Sequence, residues 1–218
     1  MLFPEATRAI ILEDPSSSQS LAFDWLIQDI SEASEEYPDF RILQRYALAT
    51  LYFSTGGELW YNDTNWLNHS IHECEWKNFN TSRGMFYEED FETGEIEWLY
   101  RVNEDPCVSS TGPGQKQEIL QHLFLYDNGL EGTLPPELFL LTSLKSLLVA
   151  YSTGIVGSIP TEIGKLTDLE AVSFSYNDHR VGSEREIPTP MPSELGLCTN
   201  LEYLILTEAG VGGAIPTG

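Results

Sequence analysis

Two imidazoles and a thiol stand close together at His69-x-x-His72-x-Cys74, the elements of a metal site. A structural zinc site takes four ligands; the trio lacks a fourth, so no metal is expected and an exposed loop accounts for the pattern. The run Glu88-Glu89-Asp90-Phe91-Glu92 could attract Ca²⁺, but it lacks the alternating Asp/Asn and the Gly of a calcium loop and reads as a solvated acidic turn. Catalytic arrangements are absent: there is no Gly-rich phosphate loop, no Gly-x-Ser-x-Gly and no kinase motif set. An enzyme is therefore not expected, and no cofactor is implied. Three N-glycosylation acceptors cluster at Asn62-Asp63-Thr64, Asn68-His69-Ser70 and Asn80-Thr81-Ser82, which points outside the cytosol.

The charge of the chain narrows its partners. Its 218 residues carry 34 acids against 11 Lys and Arg, a net charge of −23 spread along the whole length. With no basic patch to neutralise phosphates, nucleic acid is excluded as an expected partner, and an anionic membrane surface would repel the chain. A cationic protein, a polyamine or divalent ions fit better. No run of eighteen apolar residues occurs to span a membrane, and Met1–Arg8 lacks the basic start and apolar run of a signal peptide. A signal or anchor segment is expected to lie outside this chain.

Apolar residues recur in four concordant units that open at Leu120, Leu144, Leu169 and Leu201, a period of about 24, the range of leucine-rich repeats. Leu-x-x-Leu-x-Leu turns alternate apolar residues to one face of a short strand. The Asn that follows should bond the turn and form a ladder with its neighbours, here incomplete as Asn128, Ser152, Asn177 and Ala209. Pro135–Leu138, Pro160–Ile163 and Pro192–Leu195 read as helical or 3-10 turns on the opposite side. The third unit is longer, and Arg180–Met191 should loop out of the stack. The fourth stops mid-repeat at Gly218, so the chain reads as a fragment with more repeats or a cap to follow.

Alternation leaves a second set of side chains facing outward on the concave side. One expected apolar column is Phe124, Leu148, Ser173 and Ile205; a second is Asp127, Tyr151, Tyr176 and Glu208. His122, Tyr126 and Tyr203 join them as candidate ligand-binding residues. Exposed aromatics beside acids are typical of recognition surfaces, although neighbouring side chains can also pack against one another across strands.

The N-terminal part has different grammar. Residues 15–31 read as a helix with Ser16–Ser18 as caps and Leu21, Trp25 and Leu26 on one side. Residues 39–54 read as a second, with Asp39 at the N-cap and Gly56-Gly57 past its end. An aromatic, Asn-rich segment follows with Trp60, Trp66, Cys74 and Trp76, then an acidic insertion over 84–105. The expected organisation is a tail at 1–14, a helical cap region at 15–117 and about 3.7 leucine-rich repeats at 118–218. The fold class is an α/β repeat solenoid: a right-handed leucine-rich-repeat stack with parallel strands on the concave face, preceded by a helical, aromatic-rich N-terminal cap.

Cys74-Glu75-Trp76 and Cys107, followed by these repeats, resemble the plant-type leucine-rich-repeat ectodomain family. The run Leu43–Gly57 with Trp60, together with Asp14-Pro15-Ser16-Ser17 and Phe23-Asp24-Trp25-Leu26, is similar to the large diatom group of receptor-like proteins of this kind. The resemblance covers about residues 12–218. It implies a Cys74–Cys107 bridge closing the cap, although the two lie further apart here than is usual in the family because of the acidic insertion. Cys198 takes a position where repeats often bury a small residue and reads as a free core thiol. The resemblance further implies a receptor-like or membrane-anchored protein, extracellular or at the cell surface, that recognises a peptide, protein or glycan through its concave face. A structural or adhesion role, and secreted inhibition of a hydrolase, are the alternatives.

Overall fold

Proline and serine set where the first helices begin. In the computed structural model, which describes residues 2–76, 84–89, 96–102, 106–112, 115–177, 180–181 and 187–216, helix α1 (Glu5–Glu13) follows Pro4. The expected tail at 1–14 is thus largely helical. Phe3 explains why: its ring packs 4.6 Å from that of Tyr46 and 6.1 Å from that of Phe23. Helix α2 (Ser18–Glu32) starts at Ser17, whose hydroxyl oxygen accepts the Ser20 N–H and so satisfies one open donor of the first turn. Helix α3 (Asp39–Ser54) is capped by Pro38 rather than Asp39; Asp39 is its first residue, where a carboxylate favours the helix dipole. Residues 44–52 of α3 are all buried, so α3 is the central post of the cap and is enclosed on all sides.

The acidic region contains strands. β1 (Gly84–Glu89) and β2 (Ile96–Val102) pair antiparallel, as do β3 (Cys107–Gly112) and β4 (Gln115–Leu120). Glu88 and Glu89, expected in a solvated turn, end β1; residues 90–92 lie outside the described residues.

Beyond β4, each unit supplies one short strand to a single parallel sheet: β5 (His122–Tyr126) followed by the short β6 (Glu131–Gly132), β7 (Ser146–Ala150) followed by β8 (Gly154–Ile155), and β9 (Ala171–Ser173). In the long third unit β10 (Arg180–Val181) and β11 (Ile187–Pro190) follow, and the fourth unit has β12 (Tyr203–Ile205) and β13 (Val211–Gly212). The sheet order is β12-β9-β7-β5, and aligned apolar residues face each other, as in Leu123 opposite Leu147 and Leu147 opposite Val172. β5, β7 and β9 each lead on to a 3-10 helix, at Pro136–Leu140, Thr161–Lys165 and Ser193–Leu197. Parallel strands joined through 3-10 turns on the far side form the α/β repeat pattern that the leucine period requires.

The long third unit does not simply loop out. β10 pairs antiparallel with β11, and β11 pairs in parallel with β13 of the next unit. The extra residues therefore add a ladder between the third and fourth units.

Cap and repeats share one core. Ala47, Leu48 and Leu51 of α3, together with Trp60, Trp66 and Trp76, pack in the same buried cluster as Leu123, Leu125, Leu138, Leu144 and Leu169. The seam is also tied by hydrogen bonds to backbone carbonyls: the Glu131 N–H donates to the Thr55 carbonyl at 3.0 Å, and the Ser54 hydroxyl donates to the Thr133 carbonyl at 2.7 Å. Gly132, at φ 119°, lies so close that a Cβ there would overlap the Ser54 carbonyl oxygen. Glu137 of the first unit is buried under the cap, where it accepts hydrogen bonds from Thr7 at 2.8 Å and Gln19 at 3.0 Å.

Candidate functional site

One position per unit, directly after β5 and β7 and three residues beyond β9 and β12, shapes the candidate site. Asp127, Tyr151, Tyr176 and Glu208 occupy equivalent places in the four units, and all four have left-handed backbone, with φ of 48°, 57°, 56° and 52°. For a residue with a Cβ this conformation costs roughly 1–2 kcal/mol. Bonds between units offset it: the N–H groups of Asp127, Tyr151 and Tyr176 donate to the carbonyls of Ala150, Ser175 and Thr207, at 3.0, 3.0 and 2.8 Å. The bend sends the next residue inward and leaves its own side chain on the rim.

The inward residue is the expected Asn ladder, and its two asparagines both reach back. Asn177 accepts the Ser152 N–H at 3.0 Å and donates to the Val149 carbonyl. Asn128 accepts the Asn62 N–H at 2.8 Å and donates to the Asn62 carbonyl at 3.0 Å, so it grips the cap. Ser152 and Ala209, buried at the same position, are too short for this double contact.

On the rim the tyrosines stack. Ring centroids lie 4.7 Å apart for Tyr126–Tyr151 and 4.3 Å for Tyr151–Tyr176, and all three side chains are half-buried. Along the column of equivalent positions the order is acid, tyrosine, tyrosine, acid, with Asp127 and Glu208 exposed at the ends. At the other edge of the sheet, Lys145 and Glu170 form a salt bridge of 2.9 Å.

The neighbouring column differs from its expected exposure. Phe124, Leu148, Ser173 and Ile205 are all buried, as is His122. Phe124, Leu148, Ala150, Ala171 and Ile205 form a second, smaller apolar cluster, with Tyr126, Tyr151 and Tyr203 packed on it. Cross-strand packing in a parallel sheet, with small alanines admitting larger neighbours, is the physical reason. Of the expected binding residues, Tyr126, Asp127, Tyr151, Tyr176, Tyr203 and Glu208 retain accessible surface.

A buried ion cluster, not anticipated from sequence, organises the cap. Arg45, fully buried, donates from Nε and Nη2 to the two carboxylate oxygens of Asp29, both at 2.6 Å, and from Nη1 to Glu73 at 2.9 Å. Its guanidinium lies 5.2 Å from the ring centroid of Trp25 and 4.9 Å from that of Trp76. Burial opposes its charge, yet the Asp29 hydrogen bonds and the nearby Glu73 carboxylate hold its pKa above the ordinary value. Gln44 donates to Glu73 at 2.9 Å and accepts the Leu120 N–H at 2.8 Å, which ties the cluster to the start of the repeats.

His69, His72 and Cys74, close together in the sequence, take separate partners in the fold. His69 stacks on Trp25 at 5.3 Å and places Nδ1 3.1 Å from Asp29. Cys74 is bonded to Cys107, and His72 lies between Glu73 and Glu118. Burial lowers the pKa of His72, against the pull of the Glu73 carboxylate. Cys198 is buried and reduced; its thiol donates to the Ile163 carbonyl, and burial raises its pKa.

The three sequons are not equivalent. The Asn62 side-chain nitrogen is buried, with its oxygen holding the Thr64 N–H at 3.0 Å, whereas Asn68 is exposed. Asn80 lies outside the described residues. Secreted from a glycosylating host, the chain is expected to carry a glycan at Asn68 and none at Asn62, because Nδ2 is the atom glycosylated. Peptide mass spectrometry after enzymatic deglycosylation checks this, and a deamidated, formerly occupied Asn62 in folded material would contradict it.

Among the described residues no helix is long and apolar enough to cross a membrane. The repeated strand and 3-10 turn define a leucine-rich-repeat-like fold. No family model matches the chain, and no curated protein matches it. Among solved structures, it is similar to the leucine-rich-repeat ectodomain of the receptor kinase SOBIR1 from Arabidopsis thaliana, with 17% identity and a TM-score of 0.42 over 74% of this chain and 64% of that one. It is also similar to a plant ice-binding protein, with 20% identity and a TM-score of 0.45 over 73% of this chain and 38% of that one. The chain thus spans less than two thirds of either.

Proposed function

We propose that the chain is a non-catalytic recognition module of a receptor-like or cell-surface protein, a capped repeat solenoid that binds a cationic peptide or protein segment along its tyrosine rim. The observation that carries this reading is the stacked Tyr126–Tyr151–Tyr176 ladder with Asp127 and Glu208 at the ends of its column. Arginine and lysine are attracted to aromatic faces, and carboxylates at either end supply the opposite charge. The net charge of −23 would draw such a ligand in from solution. The disulfide supports an extracytoplasmic location, since such bonds persist in oxidising compartments.

Titration with a fluorescent arginine-rich peptide, alongside a neutral oligosaccharide, tests the proposal. The peptide is expected to bind and the sugar not. Tyr151→Ala with Tyr176→Ala should weaken the peptide about tenfold, as expected for two cation–π contacts. If the folded double variant binds as the parent does, attraction is only to the general charge and the rim is not the site.

A further inference from the structure

Two further potential zinc ligands stand beside the disulfide that closes the cap. A ring nitrogen of His72, the sulfur of Cys74 and a carboxylate oxygen of Glu118 all lie within 4.8 Å of one another. The Cys107 sulfur is bonded to that of Cys74 and so adjoins this group. The fold leaves His69 aside and brings in two ligands from further along the chain, because the pairing of β3 with β4 sets Glu118 opposite Ser109, two residues from Cys107. The His72 Nδ1 lies 3.5 Å from Glu118, and it accepts the Cys74 N–H at 3.2 Å.

We propose that, when the Cys74–Cys107 disulfide is reduced, His72, Cys74, Cys107 and Glu118 form a zinc site that closes the cap in its place. A dithiol reductant delivers two electrons and two protons to the disulfide, giving two thiols and becoming a disulfide itself. Zinc then binds both sulfurs as thiolates and releases the two thiol protons. Two sulfurs, one imidazole and one carboxylate make a tetrahedral donor set of the kind zinc accepts. Donor atoms in such a tetrahedron stand roughly 3.3–3.8 Å apart, so His72, Cys74 and Glu118 draw in by about 1 Å at most, while the two sulfurs, freed from their bond, move apart to that spacing. Disulfide and metal are mutually exclusive occupants, and redox conditions select between them.

The test uses the whole chain, reduced with a dithiol, desalted without oxygen and titrated with Co²⁺ and then Zn²⁺. The reduced chain is expected to take up one Co²⁺, with a sulfur-to-cobalt charge-transfer band and tetrahedral visible bands that Zn²⁺ abolishes; the oxidised chain should show neither. His72→Ala and Glu118→Ala should each weaken zinc about tenfold to a hundredfold or more, at least what losing a supporting contact costs. Glu75→Ala, an exposed neighbour, should leave affinity unchanged. X-ray absorption of the parent zinc complex, which depends on no variant, should show two sulfur and two nitrogen or oxygen neighbours. The proposal is overturned if the reduced chain binds no Co²⁺, if the oxidised chain binds equally well, or if the zinc shell contains sulfur alone.

Discussion

Arg45→Met is expected to lower the stability of the chain by about 3–5 kcal/mol, the usual cost of removing one partner from a buried ion pair. The loss is large because Asp29 and Glu73 would remain, both buried, with their counter-charge gone. It would consume much of the roughly 5–15 kcal/mol by which a folded domain is stable. Methionine retains much of the apolar stem between Trp25 and Trp76, so the effect isolates charge and hydrogen bonding rather than volume. Arg45→Lys should also destabilise, because an ammonium cannot make the paired contact with Asp29 while also reaching Glu73. Urea unfolding followed by tryptophan fluorescence reads the result directly, since two of the rings flank the substituted side chain. A loss below about 1 kcal/mol, the range of an ordinary surface substitution, would show that the cluster does not hold the cap together.

The second large effect is expected from Cys74→Ala with Cys107→Ala. The bridge spans a sequence separation of 33, and a loop of that size constrains the unfolded chain by roughly 3–4 kcal/mol in the chain-entropy account. Locally, the bridge fastens the start of β3 to the 3-10 turn Glu73–Glu75, which also carries the buried Glu73. The two sites are neighbours, so the combined Arg45 and cysteine variants should not add; the triple variant measures that coupling. Unfolding in urea at neutral pH, with and without reductant, is the measurement. A midpoint that is the same for the parent, the reduced parent and the alanine variant would mean that the bridge contributes nothing.

The repeats were legible in the sequence because their signal is periodic. Leucines at fixed intervals and Pro-x-Glu turns need no long-range information, and β5, β7, β9 and β12 all fall in the four units opened by those leucines. The concave column was harder to read. Alternation tells which side a residue faces, as for Phe124 and Leu148, but not whether that side is covered by its neighbours. Glu137 shows the same limit: it shares its motif with Glu162 and Glu194, which keep partial exposure, and only the position of the cap buries it. Helix α1 escaped notice because Phe3 and Thr7 find their partners at Tyr46 and Glu137, far along the chain. Asp29 and Arg45 lie on helices that also bury other polar residues, such as Gln19 and Gln44, and nothing in either helix alone marks the two as a pair. The disulfide followed from family resemblance, and the structure contains it despite the long insertion.

The backward reach of Asn128 and Asn177 bears on how these units could be exchanged. Each asparagine is a hook whose eye is the turn of the coil before it: Asn177 holds the turn around Ser152, and Asn128 holds Asn62. The loop after α3 therefore stands in for a coil that the period does not count. A designer grafting these units onto another scaffold would have to bring that loop along, or supply a turn that offers the same N–H and carbonyl. Without it, the amide of Asn128 would be sealed inside with nothing to hold, and the graft would fail at its first coil rather than its last.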